Sequence, residues 1–289
     1  MAGLSRQCDV VGIDRNPWWG DVPLRVLPGD LQEPGVFEQT MRSVAPDILI
    51  HCAALANVDV CERDPDLAYA SHVALTRRVV NIAPAGCLVV YVSSDGVFSG
   101  EAPWAREEDA PRPQTVYGRA KTQGEQEVAR ATDNHLIVRT NFYGWSSGRK
   151  TTSGEWLYHA LATRQPVRLF TDFFFTPIYV VDFVERLVRL LETSYRGVIH
   201  LAGGERLSKH AFGRLMAEVG SFPPEAVRTG SLDDVPMAAP RPKDISLSSA
   251  RFTQLTGLEL PEGRAGLMRF LADRGRPLSA RFAISVVPA

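Results

Sequence analysis

Short apolar runs alternate with amphipathic stretches along the first half of the chain. In "DVVGID" (9–14), Val10, Val11 and Ile13 are apolar and β-branched, which predicts a strand closed by an acid. "LRVLPGDL" (24–31) predicts a shorter one. Phe37, Met41 and Val44 in "FEQTMRSVA" are spaced like one face of a helix. "DILIHCAA" (47–54) is almost continuously apolar, as a strand covered on both faces should be. A helix is predicted over 64–83, with Pro65 near its start, then a strand at "CLVVYVSS" (87–94), a helix over 115–131 and a strand at "HLIVRTNFYG" (135–144). Strand–helix alternation at this spacing predicts a parallel, doubly wound α/β sheet.

The pattern changes after residue 144. Helices are predicted at 154–164 and 180–192, a strand at 197–204, and a helix that starts at a capping Ser208 and stops at Gly220. "SLSSARFTQLTG" (246–257) repeats that start and stop, and proline-rich connectors separate these segments. The chain thus divides into a Rossmann-like core over 1–144 and a smaller C-terminal lobe over 145–289, with 177–202 returning to the core.

The strongest chemical signal is "YVSSDGVFSG" followed by "TVYGRAK". Tyr117 and Lys121 are four residues apart and share a helix face. Ser93 and Ser94 stand where a buried strand ends, the edge at which open α/β sheets bind ligands. A tyrosine that passes a proton near neutral pH needs its pKa lowered, and a neighbouring cationic lysine would do this. A serine hydroxyl can hold a substrate oxygen against the phenol.

Net charge is −1, so composition offers no electrostatic case for nucleic acid or an anionic membrane, and a small molecule is the expected partner. Cys8, Cys52, Cys61 and Cys87 lack metal or redox spacing. Cys52 and Cys87 lie in strand-like runs and read as buried reduced thiols, which fits a cytoplasmic protein. No apolar run is long enough to span a membrane. His51, His159, His200 and His210 show no metal spacing either, and no metal is expected.

These residues resemble the extended short-chain dehydrogenase/reductase superfamily, and within it the dTDP-4-dehydrorhamnose reductase family. Ser93-Ser94-Asp95-Gly96-Val97-Phe98-Ser99-Gly100 matches that family's Ser-Thr-Asp-Tyr-Val-Phe-Asp-Gly-like stretch. "EEDAPRPQTVYG", Tyr117 to Lys121, "RTNFYG" and "APRPKDISLSSARF" match later segments. The resemblance implies an NADP- or NAD-dependent reduction of a keto-sugar nucleotide, with Ser94 as hydroxyl donor, Tyr117 as proton donor and Lys121 as its partner. It also makes the 145–289 lobe a substrate-binding one. Asp14 ends the second strand of such a fold, where an acid binds the adenosine ribose, and Arg15 beside it could meet a 2′-phosphate, so NAD against NADP stays open. By resemblance Asp30 and Leu31 flank the adenine, and Ala53, Ala54 and Leu55 line the cofactor with Tyr117 and Lys121. Ser93, Asp95, Asn141 and Arg241 are candidate substrate contacts, Arg241 through a planar fork suited to diphosphate. A homodimer is compatible with this reading.

The chain also departs from the family. No Gly-x-x-Gly-x-x-Gly frame follows a strand, Gly96 stands in place of a tyrosine, and His72 stands where asparagine is common. The first strand and its glycine loop are apparently missing, and "AGLSRQ" (2–7) reads as the tail of the helix after that loop. A misassigned start is the expected explanation, against a natural truncation. Two alternative functions follow: a sugar-nucleotide epimerase or dehydratase, or a non-catalytic module like the regulatory β subunit of methionine adenosyltransferase.

Overall fold

The computed structural model describes residues 8–16, 21, 24–33, 35–146 and 151–281. The expected helix tail at residues 2–7 lies outside them. In chain order the first half holds β1 (Val11–Asp14), β2 (Arg25–Pro28), α1 (Val36–Val44), β3 (Ile48–His51), α2 (Val58–Arg63) and α3 (Pro65–Tyr69). A single π turn over Ala70–Ala74 joins α3 to α4 (Leu75–Ile82), so the predicted 64–83 helix is continuous but underwound at one point. Then come β4 (Leu88–Val92), α5 (Val116–Ala131), β5 (His135–Arg139) and β6 (Phe142–Tyr143).

The second half holds α6 (Ser153–Ala162), β7 (Val167–Phe170), β8 (Phe174–Phe175), β9 (Ile178–Tyr179), α7 (Val180–Leu191) and β10 (Gly197–His200). β11 (Leu207–Ser208), α8 (Lys209–Val219), β12 (Val227–Gly230), α9 (Ala250–Thr256) and α10 (Gly263–Ala272) follow. Ser208 accepts the Ala211 N–H as an N-cap, and Gly257 ends α9 in the left-handed region at φ 70°, as their residue types favour.

The central sheet is parallel, in the order β10-β5-β4-β3, with Val90 opposite Ile50 and Leu136. β10 thus brings residues 197–200 back beside β5. β1 and β2 form a separate parallel pair. Among the described residues no strand joins β1 to β3, the place the first strand of a dinucleotide fold would fill. α1 closes this side instead: Phe37 and Met41 share one apolar cluster with Ile13 of β1, Leu49 of β3 and Leu75 and Val79 of α4. The second cluster packs α7 onto β4, β5 and β10 through Phe183, Leu187 and Leu190. A third, rich in aromatic rings, gathers Tyr143, Tyr158, Phe175, Phe212 and Phe270 into the core of the C-terminal lobe.

Cys61 and Cys87 are buried, but Cys52 is exposed, contrary to the reading of its strand-like run. It lies just past the end of β3, where the chain leaves the sheet. Among the described residues no helix is long and apolar enough to cross a membrane, and no cluster of three or more metal-ligating side chains occurs.

Candidate active site

β4 is buried along most of its length and delivers Ser93, Ser94 and Asp95 to the carboxyl edge of the sheet. There the chain tightens into a 3₁₀ turn over Asp95–Val97, and Ser94 Oγ accepts the Gly96 N–H at 3.1 Å. The Ser94 hydroxyl donates to Asp95 Oδ1 at 2.9 Å, and Asn141 Nδ2 donates to Asp95 Oδ2. The Asp95 carboxyl is therefore the acceptor that holds both neighbours in place. Its burial pushes its pKa up, while those two hydrogen bonds pull it back.

α5 reaches this turn because its N-terminus packs unusually close. Thr115 caps it by accepting the Gly118 N–H at 2.9 Å. A Cβ at Gly118 would stand 2.2 Å from the Gly96 carbonyl oxygen, so only glycine permits the approach. That approach sets the Tyr117 phenol against Ser94. Burial pushes the phenol up to about 12, with the Ser94 hydrogen bond acting the other way and Asp95 raising it further.

Lys121 lies one turn further along α5 and is buried. Its ammonium donates to the Val92 carbonyl at 2.9 Å and stands 4.8 Å from the Tyr91 ring centroid. Burial lowers it to about 8. The sequence reading had Lys121 depressing Tyr117. In the structure desolvation dominates the phenol instead, and the ammonium is directed at the sheet's backbone. At neutral pH the Tyr117 phenol is therefore protonated.

His72 was noted in the sequence only as a departure from asparagine. It sits on the π turn with its ring edge-on to Tyr117, centroids 5.4 Å apart. Its Nε2 is 3.0 Å from the Leu55 carbonyl oxygen, an acceptor, so Nε2 carries the proton. Burial first, and then the Lys121 charge, lowers its pKa to about 4, so the ring is neutral and polar rather than charged. His72 thereby pins the Leu55 backbone beside Tyr117.

The dinucleotide-type residues form a second group. Asp14 accepts the Asn16 backbone N–H at 2.8 Å, and Arg15 is 3.7 Å from Asp30. The Leu31 carbonyl accepts from Arg78 at 3.0 Å. Ala53 and Leu31 pack on the same apolar cluster, whereas Leu55 packs on the one that includes Tyr117. Residues 53–55, with Ala54 exposed, connect the two groups along the sheet edge.

Two candidate substrate contacts are drawn elsewhere. The Ser93 hydroxyl donates to Glu125 Oε1 at 2.6 Å inside a buried ion pair, and is 4% exposed. Consecutive strand residues point to opposite faces, so Ser93 and Ser94 cannot both face the ligand. Arg241 donates to Asp59 Oδ2 at 2.8 Å, which occupies the fork expected to meet diphosphate. Lys209, which the sequence offered no reason to single out, is brought near Asp95 by the fold of the C-terminal lobe.

With that geometry in hand, the relatives are informative. The chain matches the family model described as the RmlD substrate binding domain over residues 2–275. A dTDP-4-dehydrorhamnose reductase of Mycobacterium tuberculosis is 31% identical over 252 residues, 84% of this chain and 81% of that one. The methionine adenosyltransferase 2 subunit β of Xenopus laevis is 26% identical over 258 residues, 85% of this chain and 77% of that one. The crystal structure of a dTDP-4-dehydrorhamnose reductase of Bacillus anthracis in complex with NADP superposes with a TM-score of 0.80 at 28% identity, covering 86% of this chain and 90% of that one. The parallel sheet, the strand-end serine and the Tyr–Lys helix agree with that match across nearly the whole chain, and the protein belongs to the RmlD, or dTDP-4-dehydrorhamnose reductase-like, family.

Proposed function

We propose that this chain reduces the ketone of a 4-keto sugar nucleotide with NADPH or NADH, and that Tyr117 is the proton donor. The observation that carries the reading is the convergence of Ser94, Tyr117 and Lys121 at the carboxyl end of β4. The polar groups fit a nicotinamide dinucleotide at both ends: Tyr117 and Lys121 as donors at the reactive end, Asp14 and Asp30 as acceptors for ribose hydroxyls at the adenosine end. The small side chains of Ala53 and Ala54 leave room between them. A bound dinucleotide would supply the hydride that reduces the ketone carbon.

The chain's own residues do the rest. Ser94 turns its hydroxyl from Asp95 to the ketone oxygen and holds it next to the phenol. Tyr117, protonated at neutral pH, gives its proton to that oxygen as negative charge builds there, and the phenolate regains a proton from solvent. Lys121, tied to the Val92 carbonyl, supplies a buried cation at the dinucleotide's reactive end. Asp95 and Asn141 orient Ser94, and the lobe over 145–289 holds the nucleotide. The test is direct: NADPH oxidation with dTDP-4-dehydrorhamnose. Failure to oxidise NADPH with this or any other 4-keto sugar nucleotide would sink the reading. The similarity to the methionine adenosyltransferase 2 subunit β of Xenopus laevis, 26% identical over 258 residues, supports a second reading, a regulatory module. That reading expects no turnover under any condition.

Two further results are expected. Lys121 acts as a cation at the dinucleotide's reactive end, and burial lowers it to about 8. Activity should therefore fall as pH rises through about 8, and Lys121→Met should remove the limb together with most of the activity. A kcat/KM profile that stays flat into the alkaline range would contradict this assignment. Secondly, the given sequence carries no Gly-x-x-Gly-x-x-Gly frame of the kind that anchors a pyrophosphate on backbone N–H groups. Calorimetric titration of the 289-residue chain with NADPH and NADH should show binding weaker than micromolar. Micromolar affinity for either would mean that another segment supplies the anchor.

A further inference from the structure

The C-terminal lobe places a lysine where no local rule of the chain favours one. Lys209 is the first residue of α8, at the positive end of that helix's dipole, where a cation is disfavoured. Its backbone N–H is tied to the Phe173 carbonyl at 3.0 Å, and β11 just before it pairs antiparallel with β8. This tie lays the side chain across two rings: Nζ is 3.4 Å from the Phe175 centroid and 5.1 Å from that of Phe173. The rings hold the ammonium by its attraction to their faces. β8 runs on through Thr176 to Ile178, whose N–H bonds the Asn141 carbonyl, and the Asn141 side chain bonds Asp95. Lys209 thus lies within electrostatic reach of Asp95, the neighbour of Ser94.

Other cations of this part of the lobe are neutralised. Arg206 lies over the Phe174 ring at 3.7 Å, much as Lys209 lies over Phe175, but it also closes an ion pair with Asp244 at 2.5 Å. Arg241 is paired with Asp59 and Lys243 with Asp233. Lys209 has no carboxylate at contact distance among the described residues. Asp95 is within electrostatic reach, but its oxygens already accept from Ser94 and Asn141. A half-buried ammonium on an aromatic cradle, beside the reacting groups and without a contacting anion, is a receptor for one.

We propose that Lys209 binds the diphosphate of the nucleotide substrate, taking the place that sequence reasoning gave to Arg241. The inference rests on the sugar-nucleotide reading of the site. The test separates the two, because it needs binding and not turnover. dTDP and thymidine are titrated calorimetrically into the wild type, Lys209→Met and Lys209→Arg. Lys209→Met should weaken dTDP about tenfold or more, with thymidine and NADPH affinities unchanged, and Lys209→Arg should recover part of the loss. The dTDP affinity of the wild type should also fall more steeply with salt than that of Lys209→Met. Equal dTDP affinity in wild type and Lys209→Met would overturn the proposal. So would a parallel loss of thymidine. If dTDP binding depends on Lys209 while no keto sugar is ever reduced, the reductase reading fails and the anion site stands.

Discussion

Replacing Tyr117 by Phe is expected to lower kcat about 10²–10⁴-fold at saturating cofactor and substrate, the range that one positioned general acid contributes. The variant removes a single oxygen. The ring that His72 meets edge-on remains, as do Gly118 and the close approach of α5 to the Gly96 turn. Ser94 keeps its bonds to the Asp95 carboxylate and the Gly96 N–H. The stability cost should therefore be about 1 kcal/mol, that of one hydrogen bond. The two quantities are read independently, kcat from NADPH oxidation and stability from a urea midpoint. A Tyr117→Phe enzyme with wild-type kcat would remove the phenol from the mechanism. A variant that also unfolds would show that the phenol's role is structural.

The largest loss of stability is expected from Glu125→Ala. Glu125 and Arg139 form a bidentate pair at 2.9 and 2.7 Å, with side chains 7% and 4% exposed. Around it, Ser93 donates to Glu125, Arg139 stands 5.1 Å from the Phe98 ring, and its other nitrogen is 3.5 Å from His200. His200 cannot serve as a substitute anion: burial and the Arg139 charge hold it neutral, lowered to about 3. Truncating Glu125 leaves a guanidinium in the interior with no counter-charge and strands the Ser93 hydroxyl. Breaking such a pair from one side costs about 3–5 kcal/mol. Glu125→Met combined with Arg139→Met should be less destabilised than Glu125→Ala, because it removes both charges together. Urea unfolding of the three proteins tests this. A loss below about 1 kcal/mol for Glu125→Ala would show that water or another group reaches Arg139.

Much of the framework was legible because it is local. The alternation of 3.6-residue and two-residue periodicities marked α1, α5, α7, α8, β3, β4 and β5 to within a few residues. Ser208 and Gly257 marked helix ends by the conformations their side chains allow. The Tyr117–Lys121 spacing carried its own geometry, since one helical turn puts both on one face. The separation of β1 from β3 was also foreseeable, because the glycine frame that accompanies the strand between them is missing from the sequence.

What only the tertiary structure decided is the pairing of charges and the fate of adjacent, chemically equal residues. Ser93 and Ser94 read alike in sequence. The strand's alternation sends one to Glu125, thirty-two residues on, and leaves the other for the site. Arg241 read as a diphosphate fork, but Asp59 lies 182 residues away in the chain and in contact with it in the fold. Lys209 sat in an unremarkable helix start until β8 and β11 paired and laid it on Phe175. The desolvation that dominates at Tyr117 is likewise a property of everything packed around the phenol. Periodicity and capping act over a few neighbouring residues and are written in the chain. Electrostatic partners and burial are set by elements that meet only after folding.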